Sequence, residues 1–288
     1  MPELVSISQE PQDERSQYWT AERRAAATPV PFAIDEETFE RIMADNPSPE
    51  SAAETHAPAA PASPPAGDGE ARGAACPASR VSSPPTFPYC AIGKIFFTQS
   101  GRDWVGSAAA VNHHTLLTAG HCVHVGGGGG WSSWVHFFPY YPYVFAPNYW
   151  PDKLWAWDAW INSKDYKFDY AMLHVPVDMQ PAIGYLGSLW NAGISGVSWE
   201  SVGYPAGSPY PGDWMYHTTG ANVTGTNPIA MGNNGMTGGC SGGPWLASHA
   251  GARRYANSVN SFGYASQPCN MYGPYFDNNY KTMFDAAS

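Results

Sequence analysis

From Ala91 onward the sequence changes character every few residues. Short apolar or alternating runs (AIGKIFF, GSAAAVN, HTLLTAG, YAMLHV, SWESVGY, GGPWLA and NSVNSFGY) are separated by Gly, Pro, Asn and Asp. Runs of that length with turn residues between them predict strands of a barrel or sandwich. A helical period is convincing only in YFDNNYKTMFDAA, at the C-terminus. The expected body is therefore all-β, mostly antiparallel, and closed by a C-terminal helix.

Ahead of this body the grain differs. SQYWTAERRAAATPVPF opens on an aromatic pair, and DEETFERIM places Phe39, Ile42 and Met43 at helical spacing. Of the 40 residues from Asn46 to Pro85, 9 are Pro and 11 Ala, with almost no large apolar side chain. Such a stretch buries too little surface to offset its ordering entropy, so it is expected to be a disordered linker. Residues 1–90 hold 14 acids and 6 bases, and residues 91–288 only 10 and 8. The net charge of −10 thus sits mainly in front of the body. It offers no basic face, which argues against a nucleic-acid partner. No apolar run approaches the roughly 18 residues that read as a membrane span. MPELVSISQEPQDE lacks the charged start and apolar run of a secretory signal. The five cysteines, Cys76, Cys90, Cys122, Cys240 and Cys269, form no Cys-x-x-Cys pair, and their odd count leaves at least one unpaired.

Three short signatures carry chemistry. Leu117-Thr118-Ala119-Gly120-His121-Cys122 sets a histidine at the end of an apolar strand. Phe168-Asp169-Tyr170-Ala171-Met172-Leu173 sets a carboxylate at the head of another. Gly238-Gly239-Cys240-Ser241-Gly242-Gly243-Pro244 sets a serine in a glycine-rich turn. A serine hydroxyl is a weak nucleophile and needs a base within hydrogen-bond reach. The base needs a carboxylate to fix its tautomer and stabilise the imidazolium. Glycines beside the serine let backbone N–H groups converge on a developing oxyanion.

The order of the three restricts the fold. Gly239-Cys240-Ser241-Gly242-Gly243 also fits the Gly-x-Ser-x-Gly elbow of α/β-hydrolases, where acid and histidine follow the serine. Here the only later histidine is His249, no acid separates it from Ser241, and 47 residues remain. An Asp-His-Ser order would leave Asp169 without a task. His121, Asp169 and Ser241, spaced by 48 and 72 residues, follow the His-Asp-Ser order. TAGHC, FDYAML and GCSGGP together resemble a trypsin-like serine endopeptidase, in particular the staphylococcal-type glutamyl endopeptidases and their secreted bacterial and fungal relatives. IGKIFF, FAPNYW, WAWDAWI, SVGYPAG and MYGPYF agree with that subgroup, and SQYWTAERRAA is similar to its pro-region.

The resemblance implies a chymotrypsin-like double antiparallel β-barrel, with barrels at 86–177 and 178–288. A pro-segment at 1–45 and the linker at 46–85 precede them, and a zymogen cut is expected between Gly67 and Tyr89, with Arg72 and Arg80 as basic sites. It makes Ser241 the nucleophile, His121 the general base and then acid, and Asp169 the orienting carboxylate. The backbone N–H groups of Gly239 and Ser241 would form the oxyanion hole. Ser261, Phe262 and Gly263 would pair with a polypeptide substrate. The pocket-floor position falls at Gly235, followed by Met236, and neither is an acid. Where glutamyl endopeptidases carry a histidine, this chain has Asn260. Apolar or medium polar side chains remain by elimination. Cys240 takes the position of the aspartate that receives a freed N-terminus in trypsin, and is expected to bridge to Cys269 instead. Cys90 is the nearest candidate to pair with Cys122.

Rival sites are weaker. His121, Cys122 and His124 are crowded on one turn and poorly spaced for zinc, so neither metal nor cofactor is expected. His217 reads as an exposed strand histidine. Asn222-Val223-Thr224 is a single glycosylation sequon. A monomeric, secreted serine endopeptidase is the leading expectation. A catalytically silent binding protein on the same fold, and a serine esterase, are its alternatives.

Overall fold

The computed structural model describes residues 1–44, 54–60, 76, 78–143, 145–220, 223–249 and 251–288. In the first β unit, the Ile92–Gln99 and Arg102–Ala110 strands form a hairpin whose turn residues Ser100 and Gly101 have φ of 50° and 74°. The sheet continues on one side through Thr115–Thr118, Ala171–His174 and Lys153–Trp157, and on the other to Ser133–Pro139, all antiparallel. Leu117 lies opposite Met172 and Leu116 opposite Leu173. These four and Leu154 are buried in one apolar core, which extends across both units.

The second unit has two sheets. Gly187–Trp190, Ala252–Val259, Pro244–His249, Trp199–Gly203 and Tyr216–Gly220 form the body of one. Val223–Gly225, Ile229–Met231, Gln267–Gly273 and Phe262–Tyr264 form the other. The closing helix, Asn278–Ala287, is capped by Asp277, whose Oδ1 accepts the Asn279 N–H at 2.8 Å. It buries Tyr280, Met283, Phe284 and Ala287, the period its sequence predicts. The double-β architecture and C-terminal helix are those expected.

Residues 1–44 are built into two of the three sheets. Leu4–Ser8 pairs antiparallel with Lys153–Trp157. Thr28–Pro29 pairs parallel with Trp104–Val105, and Ala33–Ile34 parallel with Gly263–Tyr264. Between these strands, Tyr18 stacks on Trp134 at 4.3 Å, and the Trp19 indole N–H donates to the Trp134 carbonyl at 2.5 Å. Arg23 pairs with Asp103 at 2.7 Å, and buried Arg15 donates to the Pro151 carbonyl at 2.8 Å. The helix predicted around Phe39, Ile42 and Met43 spans Glu36–Ala44, and Phe39 stacks on Tyr264 at 4.3 Å.

A wholly disordered linker at 46–85 is not what the structure contains. Glu54–His56 pairs antiparallel with Gly187–Trp190, Ser79–Arg80 pairs with Tyr216–His217, and Val81 is buried. Backbone pairing needs no large apolar side chain, so a composition average conceals these short strands. Gly67, Arg72 and the sequon residue Asn222 lie outside the described residues.

Candidate active site

His121 lies in one helical turn, Gly120–Val123, directly after the Thr115–Thr118 strand. Asp169 follows the turn at Tyr166–Phe168 and precedes the Ala171–His174 strand. Because Ala171 pairs with Thr118, the two strand ends bring carboxylate and imidazole together. Asp169 Oδ1 accepts the His121 backbone N–H at 2.7 Å, and Oδ2 faces His121 Nδ1 at 2.8 Å. Asp169 only accepts, so Nδ1 carries the proton and Nε2 is left as the base. Gly120 keeps the turn close: a Cβ there would lie 3.1 Å from Asp169 Oδ1 and 3.2 Å from the Trp160 ring. Burial, the largest single influence, pulls the His121 pKa down, but the facing Asp169 and the neighbouring Cys122 together outweigh burial and hold the imidazole well above its ordinary value.

The other carboxylates near in sequence are engaged elsewhere. Asp152 faces His174 at 2.6 Å and Asp178 faces His113 at 3.0 Å. Asp158 accepts the Glu3 N–H at 2.7 Å, and Asp165 accepts the Lys167 N–H at 3.1 Å.

Ser241 is buried in the turn ahead of the Pro244–His249 strand. The flanking glycines have φ of 98° at Gly239 and 82° at Gly242, which side chains rarely adopt. A Cβ on Gly242 would collide with Thr118 Oγ1 and the Ser107 carbonyl. The Cys240, Gly242 and Gly243 amides donate to the carbonyls of Thr237, Asn260 and Cys240. The Gly239 and Ser241 amides take no part in these bonds. The Ser107 N–H donates to the Ser241 carbonyl at 2.7 Å, and its hydroxyl to the Gly239 carbonyl at 2.9 Å. His121 Nε2 and Ser241 Oγ are both buried and have no hydrogen-bond partner among the described residues. The histidine–serine bond is open in this state, as is common before substrate binds.

Among solved structures, the chain is similar to a thermostable serine protease, AL20, from an extremophilic microorganism. The identity is 31%, the TM-score 0.63, and the match covers 69% of this chain and 97% of that one. Protease Anisep from Arthrobacter nicotinovorans is 33% identical, with a TM-score of 0.62 and coverage of 69% and 95%. This chain belongs to the chymotrypsin-fold serine proteases. A Glu endopeptidase solved in complex with MPD shares the fold at 19% identity and a TM-score of 0.60, with coverage of 76% and 96%. No family model matches the chain. Among curated proteins it is 27% identical over 145 residues to an extracellular metalloprotease of Bacillus subtilis strain 168. That match spans 47% of this chain and 45%, less than half, of the relative's length. Among the described residues, no group of three His, Cys, Asp or Glu side chains is placed to hold a metal ion. No described helix is long and apolar enough to cross a membrane.

Within this protease fold, several expectations about the pocket need correction. Cys269 bonds to Cys76, with Cα atoms 5.6 Å apart, and not to Cys240. Cys240, Cys122 and Cys90 are free and buried, so the Cys90–Cys122 pairing is absent as well. Cys240 packs against Gly203, where an added Cβ would lie 3.0 Å from its own Cβ, and burial raises its thiol pKa. Gly235 is no open floor, because a Cβ there would collide with the Cys76 carbonyl oxygen. Nor does Asn260 present its side chain to a substrate. Its Oδ1 accepts from Ser201 Oγ at 2.6 Å and Trp245 Nε1 at 2.7 Å, while Nδ2 donates to the Cys240 and Val202 carbonyls at 3.1 and 3.2 Å.

Ser261 has a role its sequence did not reveal: its hydroxyl donates to Asp169 Oδ2. Phe262 is buried, stacked on Tyr272 at 5.0 Å, and lines the same cleft as His121. Met236 is buried in the apolar cluster behind the serine turn. His217 pairs with Glu200 at 2.6 Å across neighbouring strands.

Proposed function

We propose that the protein is a serine endopeptidase acting through an acyl-enzyme on Ser241. The observation that carries this reading is an imidazole, His121, held by Asp169, together with a buried Ser241 hydroxyl that has no partner among the described residues and sits in a glycine turn. His121 Nε2 would take the Ser241 proton as the hydroxyl attacks a peptide carbonyl, and Asp169 would stabilise the imidazolium formed. The Gly239 and Ser241 amides would receive the oxyanion. His121 would then return the proton to the leaving amine, and water would release the acyl group by the same steps. Residues 1–45 are proposed as a pro-segment. Export is proposed from the Cys76–Cys269 bridge, since disulfides persist in oxidising compartments. The test is labelling with a fluorophosphonate and mapping the adduct by mass spectrometry. An adduct on Ser241 that disappears in His121→Ala is expected; no adduct on Ser241 overturns the reading. Comparing turnover of an ester with the matching amide separates peptidase from esterase.

A further inference from the structure

Residues 28–34 cross from one β unit to the other. Thr28–Pro29 is added to the Arg102–Ala110 strand, and Ala33–Ile34 to the Phe262–Tyr264 strand. Between them the chain is extended, and its burial alternates with period two: Val30, Phe32 and Ile34 are half-buried, while Pro31 and Ala33 are exposed. Val30, Phe32 and Ile34, with Pro31, line a cavity of about 300 Å³ shared with His121 and Ser261.

Phe32 occupies a particular slot in this crossing. One wall is the serine turn, where a Cβ on Gly238 would lie 3.1 Å from Pro29 Cβ and 3.4 Å from Phe32 Cβ. The other is Gly263, where a Cβ would collide with the Phe32 ring. Behind it, the ring packs on the apolar cluster that contains Met236, Met271 and Cys240. These two walls bound the place where the sequence puts the specificity pocket. Gly263 lets the flat ring fit where a side chain would exclude it, and Gly238 lets the segment lie in contact with the serine turn. Lys164, which also lines the cavity, packs on Gly126.

The backbone of the segment is not presented for cleavage. The Phe32 carbonyl accepts the Gly263 N–H at 3.1 Å, so it is held by the strand and not by the amides of Gly239 and Ser241. The pairing with Gly263–Tyr264 is parallel.

We infer that the pocket beside Ser241 takes a large apolar side chain of the phenylalanine or leucine class, and that in the intact chain Phe32 fills it without being cut. This rests on the serine-peptidase reading and gives it a substrate class. The same contact makes residues 28–34 a built-in competitor of substrate.

The test uses the full-length chain, as wild type, Phe32→Gly and Phe32→Leu. Fluorophosphonate labelling of Ser241 should be about ten-fold or more faster in Phe32→Gly, because burial of that ring no longer favours the closed state. Phe32→Leu should restore slow labelling. On peptide amides differing only in the residue before the scissile bond, Phe32→Gly should prefer Phe or Leu over Glu or Lys by about ten-fold or more in kcat/KM. Equal labelling of all three proteins, or a preference for Glu or Lys, overturns the inference. If no variant is labelled, the serine-peptidase reading fails by itself, and the pocket is read by binding. N-acetylphenylalaninamide should then perturb the tryptophan fluorescence of Phe32→Gly but not of the wild type. Equal response in both removes the pocket assignment.

Discussion

The two halves of the cleft are built in different ways. His121 and Asp169 sit at the ends of paired strands and are brought together by one register, Ala171 against Thr118. The slot beside Ser241 draws on Phe32, Gly238 and Gly263, which come from well-separated parts of the chain, and the bridged Cys76 packs on Gly235 ahead of the same turn. Reactive groups can therefore be specified by short local signatures, whereas the shape that selects a substrate depends on segments far apart in sequence. A change to the first half should remove turnover with little effect on choice, and a change to the second should do the reverse.

The largest expected effect is on the acid–base half. Ser241→Ala should abolish labelling and lower kcat by about 10⁶, the scale for losing a triad nucleophile. Asp169→Asn should lower kcat by about 10⁴ and leave peptide selectivity unchanged. The pH profile gives this half a second signature. Activity requires neutral His121, so the acid limb of kcat/KM should lie above the ordinary histidine range. In Asp169→Asn, burial is left to dominate and the limb should move down. The raised pKa also stabilises the fold. That contribution is complete below the unfolded histidine pKa and is lost as pH rises through the folded one.

The second prediction sharpens the contrast. Replacing both Cys76 and Cys269 by Ser should cost about 2–5 kcal/mol in stability, read by denaturant unfolding. It should raise KM and blur the preference among peptides, because the Cys76 carbonyl packs on Gly235 in the segment leading to the serine turn, while the labelling rate of Ser241 stays close to wild type. Equal losses of kcat and selectivity would remove the distinction between the halves. A smaller effect is expected at their junction. Ser261→Ala removes one donor to Asp169, so kcat should fall by about ten-fold, the scale of one hydrogen bond to a charged group. The acid limb should move upward, because a less stabilised carboxylate draws the His121 proton more strongly.

Sequence legibility follows the same division. Asp169 was readable because an acid opening an apolar strand has few places to go except beside a base. The C-terminal helix was readable because Tyr280, Met283, Phe284 and Ala287 keep one period. Asn260 was misread as a pocket residue, and the bond from the Ser261 side chain to Asp169 was not foreseen. Their partners Ser201, Trp245 and Asp169 lie on other strands, and nothing local distinguishes a polar residue in a buried network from one at a surface. The two-residue strands at Thr28–Pro29, Ala33–Ile34 and Ser79–Arg80 are too short to carry any period. The pairing of Cys76 was not legible, because it stands among Pro and Ala residues without a period, and its partner Cys269 offered three other sulfurs to choose from.

The Cys76–Cys269 bridge also decides what a backbone cut would release. A cut on the N-terminal side of Cys76 would free residues 1–44 to diffuse away, and dilution would make the change one-way. A cut after Arg80, whose guanidinium lies 3.4 Å over the Trp214 ring, would leave a two-chain molecule joined through sulfur. The severed piece would then stay tethered at an effective concentration on the order of millimolar, able to rebind and vacate the cleft repeatedly. In that form reduction, and not proteolysis alone, would be the step that makes opening permanent.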